Sequence, residues 1–155
     1  PNNRKKVIRA LERLREGEGR VRPFSGIKNE TKDYDVLLIG LTRERAELYD
    51  RINRRVDILV EQGLFDEVEK LRDMGLTAEN ISMKGIGYKE ILDFFSGKYT
   101  RDEAIDTIKK NTRHYAKKQL TWFRRYDKMN WYNISEFDND DNAAGVIAAW
   151  VRKNL

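Results

Sequence analysis

At 155 residues the chain is the length of one domain, and 39% hydrophobic with 37% charged residues is the composition of a folded protein with a polar surface, which excludes a disordered class. A net charge of +5 and a pI near 9.4 permit an anionic partner without demanding one. Cysteine is absent and His114 is the only histidine, which excludes disulfide frameworks, thiolate metal sites, histidine-based zinc sites and any general base centred on a second histidine. No apolar run approaches a membrane span and the basic N-terminus is unlike a signal segment, so a cytoplasmic protein is expected. The chain starts Pro1-Asn2-Asn3 without a methionine, which suggests a segment of a longer protein.

Asn2 or Asn3 caps a helix predicted over 4–15, with Val7, Ala10, Leu11 and Leu14 as its buried face. Arg4, Lys5, Lys6 and Arg9 crowd its first turns, where the helix dipole favours anions; phosphate contact and a merely basic surface end both fit. Residues 17–33 are a long connection rich in Gly, Pro and polar residues. The run YDVLLIGL predicts a strand over 35–41, buried on both faces as in a parallel sheet covered by helices. A second strand is expected over 130–135.

Thr42 caps a helix predicted over 43–62, with Leu48, Ile52, Val56 and Leu59 inward and Gly63 ending it. Arg51, Arg54 and Arg55 sit mid-helix among Asp50 and Asp57, a pattern that fits surface ion pairs. A helix over 65–74 turns Val68 and Leu71 inward, and Gly75 closes it. MKGIGYKE, Met83 to Glu90, leads into a helix over 87–95. Glycines ahead of a helix N-terminus admit a phosphate or another backbone, and a simple tight turn fits as well. The spacing matches neither the dinucleotide fingerprint nor a Walker loop.

Thr100 caps a long helix predicted over 101–126 whose inner stripe is Ile105, Ile108, Thr112, Tyr115, Gln119 and Trp122. Arg113, Lys117, Thr121 and Arg124 repeat on another face. Seven Lys or Arg and one Asp lie between Ile105 and Arg125, so the basic charge is concentrated here. Basic, hydroxyl and aromatic groups around one rod suit a nucleic-acid backbone; an amphipathic helix with core aromatics and solvated cations fits the same residues. The acidic loop over 136–142 precedes a last helix over 143–152, with Val146, Ile147 and Trp150 as its apolar set.

PNNRKKVIRALE, DRINRRVDILVEQGLFDEVEKL, GIGYKE and TRHYAKKQLTWFRR resemble, in that order and spacing, the tRNA dimethylallyltransferases, also called tRNA isopentenyltransferases. The resemblance covers nearly the whole chain and is weakest after Trp131. It implies an α/β, mostly helical fold, part of a P-loop kinase-like, nucleotide-binding (ATP-type) three-layer domain, of which residues 1–155 are the C-terminal portion. The implied activity transfers a dimethylallyl group from dimethylallyl diphosphate to N6 of the adenine 3′ of the anticodon. The implied partners are the tRNA anticodon stem-loop, dimethylallyl diphosphate and an N-terminal half, with Mg2+ accompanying the diphosphate. The P-loop, the general-base Asp and an inserted RNA-gripping domain are implied to precede Pro1, so no catalytic or metal-ligating residue is assigned within the chain, and inactivity of these residues alone is expected.

By motif, the resemblance assigns RNA contact to Lys5, Lys6 and Arg9, to Lys84, Gly85, Ile86, Gly87, Tyr88 and Lys89, and to Lys117, Lys118, Gln119, Leu120, Thr121, Trp122, Phe123 and Arg124. It assigns diphosphate contact to Arg55. Tyr88, Gln119 and Trp122 are candidate walls for a flipped base. Lys89 stands where the family often has Arg, which exchanges a planar fork for a point charge, and Asn3 stands where Asp is frequent. A stand-alone basic RNA-binding module is the alternative reading, and a helical scaffold that binds protein is a third.

Overall fold

The computed structural model describes residues 7, 8, 11, 12, 15 and 36–155. Pro1–Asp35 and Val36–Leu155 are separate units. In the first, residues 7, 8, 11, 12 and 15 are helical, in keeping with the helix expected over 4–15. Val7 is 42% and Leu11 59% exposed, in contrast to the expected burial. Apolar spacing marks which face is available for packing and does not supply the element that covers it. Lys5, Lys6, Arg9, Ala10 and Leu14 lie outside the described residues.

The second unit is α/β and mostly helical. Strand β1 is Leu38–Thr42 and strand β2 is Met129–Asn133. They pair in parallel, Leu38 opposite Met129 and Thr42 opposite Asn133. Between them come α1 (Arg45–Glu61), α2 (Leu64–Asp73), a 3-10 turn (Ile81–Lys84), α3 (Tyr88–Phe95) and α4 (Arg101–Phe123). A second 3-10 turn, Ile134–Glu136, leads to α5 (Asp140–Asn154). The strands and helices expected from residue 36 onward are all present. Burial of the first strand on both faces is not: Val36 and Leu41 are 60% and 58% exposed. Among the described residues no second layer encloses both sides of the pair.

Because residue 40 has no side chain, the Trp131 and Met129 side chains of β2 lie close over the β1 backbone. A Cβ on Gly40 would lie 2.6 Å from the Trp131 ring and 2.7 Å from the Met129 sulfur. Thr42 is not the cap of α1, because β1 extends through it. The N-cap is Glu44, whose side chain makes no capping bond. Its backbone N–H instead donates to Ser135 Oγ at 2.9 Å, 91 residues away. Thr100 does cap α4 as expected. Its hydroxyl accepts from Glu103 N at 3.3 Å and the Glu103 carboxylate accepts from Thr100 N at 2.7 Å, a reciprocal box.

The core lies among the helices. Val56 of α1, Phe65 and Val68 of α2, Met83, Ile91 of α3, and Ala104 and Ile108 of α4 form one buried cluster. Full burial of Val68 or Ile91 contributes about 1.5–3 kcal/mol each. Phe65 meets Phe94 edge-on at 5.4 Å, and the Arg101 guanidinium sits 4.3 Å from the Phe65 ring centre. Only Ala104 and Ile108 of α4 are buried, so the expected inner stripe stops being core partway along. In α5 the buried residue is Ala143, while Val146 is 44% exposed.

Candidate functional site

Two clefts open along α4. The first, of about 1020 Å³, lies between α1, the 81–88 turn and α4. It collects Arg51 and Arg55 from α1, Lys84, Gly85, Ile86, Gly87 and Tyr88 from the turn, and Thr112 and Tyr115 from α4. It thus joins Arg55, expected on a diphosphate, with the segment expected on RNA. Its other lining residues are apolar, and no Asp or Glu is among them.

Charge is left over in this cleft. Among the described residues Arg55 and Lys84 have neither an ion pair nor a side-chain hydrogen bond, whereas Arg54, next to Arg55, pairs with Asp50 at 2.9 Å. Arg51 has only a long contact of 3.9 Å to Glu47. Three cations facing one open cleft with little carboxylate compensation form an anion-attracting pocket.

The turn is built to hold backbone in that cleft. Gly87 takes φ +100°, a region that side chains disfavour. Gly85 is different, with φ −66° and ψ 153°. Its nearest atom to an added Cβ would be Ser82 O at 3.9 Å, so the protein itself does not require glycine there. Beneath the turn is Glu90, buried at 4% exposure. One carboxylate oxygen accepts from Gly87 N at 2.7 Å and the other from Asn111 Nδ2 of α4 at 2.7 Å. The Tyr88 hydroxyl donates to Glu67, and that bond, with burial and the Glu67 charge, raises its pKa above the ordinary phenol value. Tyr88 therefore offers the cleft its ring. Lys89, expected with this group, is exposed on the first turn of α3 and lines neither cleft.

The second cleft, of about 440 Å³, lies between the strands and the distal part of α4. Ile39, Gly40, Leu41 and Thr42 of β1, Met129 and Trp131 of β2, and Ala116, Gln119, Leu120 and Phe123 of α4 line it. The helix expected to act as one surface is therefore divided. Tyr115 lines the first cleft and Gln119 the second, although spacing places them on one helix face. Lys117, Lys118, Thr121, Trp122 and Arg124 line neither and are exposed.

Burial of the expected stripe is corrected accordingly: Tyr115 is 53% and Trp122 45% exposed. The Thr112 hydroxyl donates to Ile108 O at 2.7 Å and that of Thr121 to Lys117 O at 2.9 Å, so these polar groups are satisfied within the helix. Arg113 leaves the expected basic face altogether. It is half-buried, donates to Asn53 Oδ1 at 2.5 Å and lies 6.0 Å from the Tyr49 ring centre, tying α4 to α1.

A further cluster at the C-terminal ends of the strands had no signal in local spacing. Arg43 donates to Asp140 and to Glu47, each at 2.7 Å, and Ser135 Oγ donates to Glu47 at 2.5 Å. The Ser135 bond, followed by Arg43, lowers the Glu47 carboxyl pKa, and the Asp140 bond is the main cause raising that of Arg43. Arg43 also borders the second cleft.

Among the described residues no group of three or more His, Asp or Glu side chains gathers into a protein-built metal cage. Among the same residues no helix is long and apolar enough to cross a membrane.

A family model described as IPP transferase matches residues 1–126. A tRNA dimethylallyltransferase of Alkaliphilus oremlandii (strain OhILAs) is 51% identical over 147 residues, which is 95% of this chain and 47% of that protein. One from Clostridioides difficile (strain 630) is 44% identical over 154 residues, 99% of this chain and 49% of that protein. The crystal structure of the full-length tRNA isopentenylpyrophosphate transferase from Bacillus halodurans superimposes with a TM-score of 0.72 at 43% identity, over 99% of this chain and 47% of that one. A tRNA delta(2)-isopentenylpyrophosphate transferase from Staphylococcus epidermidis gives 0.73 at 37% identity, over 99% and 50%. The chain spans about half the length of the curated relatives it matches.

Proposed function

Because the chain belongs to the IPP transferase family, we propose that residues 1–155 form the substrate-receiving part of an enzyme that moves a dimethylallyl group from dimethylallyl diphosphate to N6 of the adenine 3′ of a tRNA anticodon. The observation that carries this reading is the first cleft, where Arg55 and Lys84 stand without ion-pair partners beside the bare backbone of Gly85. An allylic diphosphate ionises toward an allyl cation and pyrophosphate. The leaving group gains negative charge in that step, so fixed cations stabilise the transition state more than the ground state. Arg55 serves the diphosphate and the Lys84–Tyr88 turn serves the RNA, so acceptor and donor meet in one cleft.

The ring of Tyr88 and that of Tyr115 are walls for an unstacked base. Lys117, Lys118 and Arg124, exposed and without ion pairs among the described residues, hold the RNA backbone outside it. The amine proton goes to a base supplied from outside these residues. When bound with the diphosphate, Mg2+ would neutralise part of its charge. A cytoplasmic location belongs to the same proposal.

Labelled prenyl donor and an anticodon stem-loop test the reading. Residues 1–155 alone are expected to transfer nothing, and an enzyme joining them to a P-loop-bearing portion is expected to label the adenine. Lys117→Glu with Arg124→Glu is expected to weaken stem-loop binding and to flatten its slope against log salt by about 1.4–1.8. Tight stem-loop binding with no transfer by the joined enzyme would instead mark a plain RNA-binding module. Unchanged binding by the double variant would refute the helix's share.

A further inference from the structure

Glu90 is an unusual residue to find in a core. It is 4% exposed, yet among the described residues it has no cation partner. Its two oxygens accept one bond each, from the Gly87 amide and from Asn111. A carboxyl group is an uncommon way to fill space in a core, because each of its oxygens has to be met by a donor. The two donors show what is gained. One is the residue at positive φ that shapes the Lys84–Tyr88 turn, and the other is on α4, the helix that supplies the facing wall of the cleft. Gly87 has no side chain with which to complete a reciprocal capping box, so the return bond from Glu90 is the side-chain fixture of that turn.

Asn111 precedes Thr112, which lines the cleft three residues before Tyr115. Glu90 therefore ties the turn to the helix segment that faces it. We propose that Glu90 is a positioning residue, which through the Gly87 amide and Asn111 fixes the distance between the Lys84–Tyr88 turn and α4 and so sets the width of the substrate cleft. This inference rests on the reading of the cleft as the RNA-receiving site. What the linkage needs is hydrogen-bond geometry and not charge. In Glu90→Gln the side-chain oxygen keeps the Gly87 bond, and its NH2 can donate to Asn111 once that amide turns over.

The test uses an active enzyme that carries these residues. Wild-type transfer to the stem-loop checks the underlying reading by itself, and its absence would sink that reading before Glu90 is examined. With transfer in hand, Glu90→Ala, shown by circular dichroism to be folded at the assay temperature, is expected to raise KM for the RNA about tenfold while kcat changes about threefold or less. Glu90→Gln is expected within about twofold of wild type. Asn111→Ala, which leaves the carboxylate and the Gly87 bond in place, is expected between the two.

A double-mutant cycle separates positioning from mere stability. Lys84→Ala is expected to raise KM in the wild-type background and to have little further effect beside Glu90→Ala, because the lysine is already misplaced. If the two effects multiply, or if folded Glu90→Ala and Asn111→Ala both keep the wild-type KM, the positioning role is wrong. Should Glu90→Ala not fold, Asn111→Ala in the same cycle with Lys84→Ala decides the matter alone.

Discussion

Arg54 and Arg55 are neighbours in one helix, and their substitution separates surface ion pairing from substrate contact. Arg54 pairs with Asp50 at 2.9 Å with 66% and 64% of the two side chains exposed. Such an i, i+4 pair is worth about 0.3–0.5 kcal/mol. Arg55 has no partner among the described residues and faces a cleft it shares with Arg51 and Lys84. Removing it from the free protein breaks no bond and relieves like-charge repulsion. Stability is then expected to change by less than about 0.5 kcal/mol, with a neutral or upward sign, which for a chain of this size is a Tm shift of about 2 °C or less. If Arg55 holds the diphosphate, Arg55→Ala removes a charge-assisted bond of about 1.5–3 kcal/mol and lowers kcat/KM about 10- to 150-fold. Arg54→Ala is expected to leave kcat/KM within about twofold. The assay is labelled prenyl transfer with the donor varied, beside thermal melting of both variants. Equal losses of activity in the two variants would refute the reasoning, as would an Arg55→Ala defect matched by a fall in Tm.

Gly40→Ala places a methyl 2.6 Å from the Trp131 ring, and such overpacking costs about 1–3 kcal/mol, so Tm is expected to fall by about 2–12 °C; a melt within about 1 °C of wild type would contradict the close approach. The Ser135 bond keeps the Glu47 carboxyl below its ordinary value, so the stability it contributes is fully present above the unfolded pKa of about 4.5 and is lost as pH falls through the lower folded value. The urea midpoint of wild type is expected to exceed that of Ser135→Ala most at pH 6–7, and the gap to narrow below about pH 4.5 to the part that the Glu44 N–H bond contributes at every pH; a gap that widens in acid would reverse the sign.

What the sequence made legible was whatever is decided locally. Thr100 and Glu103 are three residues apart, so the start of α4 was readable, and the helices of the unit begin and end within a few residues of their predicted bounds. Thr42 resembled a cap for the same local reason. Its place in β1 is set by pairing with Asn133, and the backbone group it was expected to satisfy is met by Ser135, 91 residues away. Arg113 resembled its basic neighbours because nothing near it in sequence announces Asn53, 60 residues earlier. Glu90 was visible as part of GIGYKE, but its burial depends on Asn111 and on the packing of α3 against α4. The candidate cations were legible as residue types. Which of them lack partners depends on where every carboxylate goes.

The division of α4 between two clefts follows from a change of packing partner. Its first half lies on α1, through the buried Ile108, through Lys109 with Asp57 at 2.6 Å and through Arg113 with Asn53. Its last turns instead meet the strands, where Leu120 and Phe123 stand opposite Gly40 and Trp131. Tyr115 and Gln119 are one turn apart, about 6 Å along the axis, and share a face. Between them that face leaves one partner and has yet to reach the other. A helix surface in transit between two neighbours cannot be closed by either, so residues that periodicity assigns to a core stay open. The 53% exposure of Tyr115 is the result, and the basic-aromatic stretch Thr112–Arg125 supplies a wall to each cleft because it spans that gap.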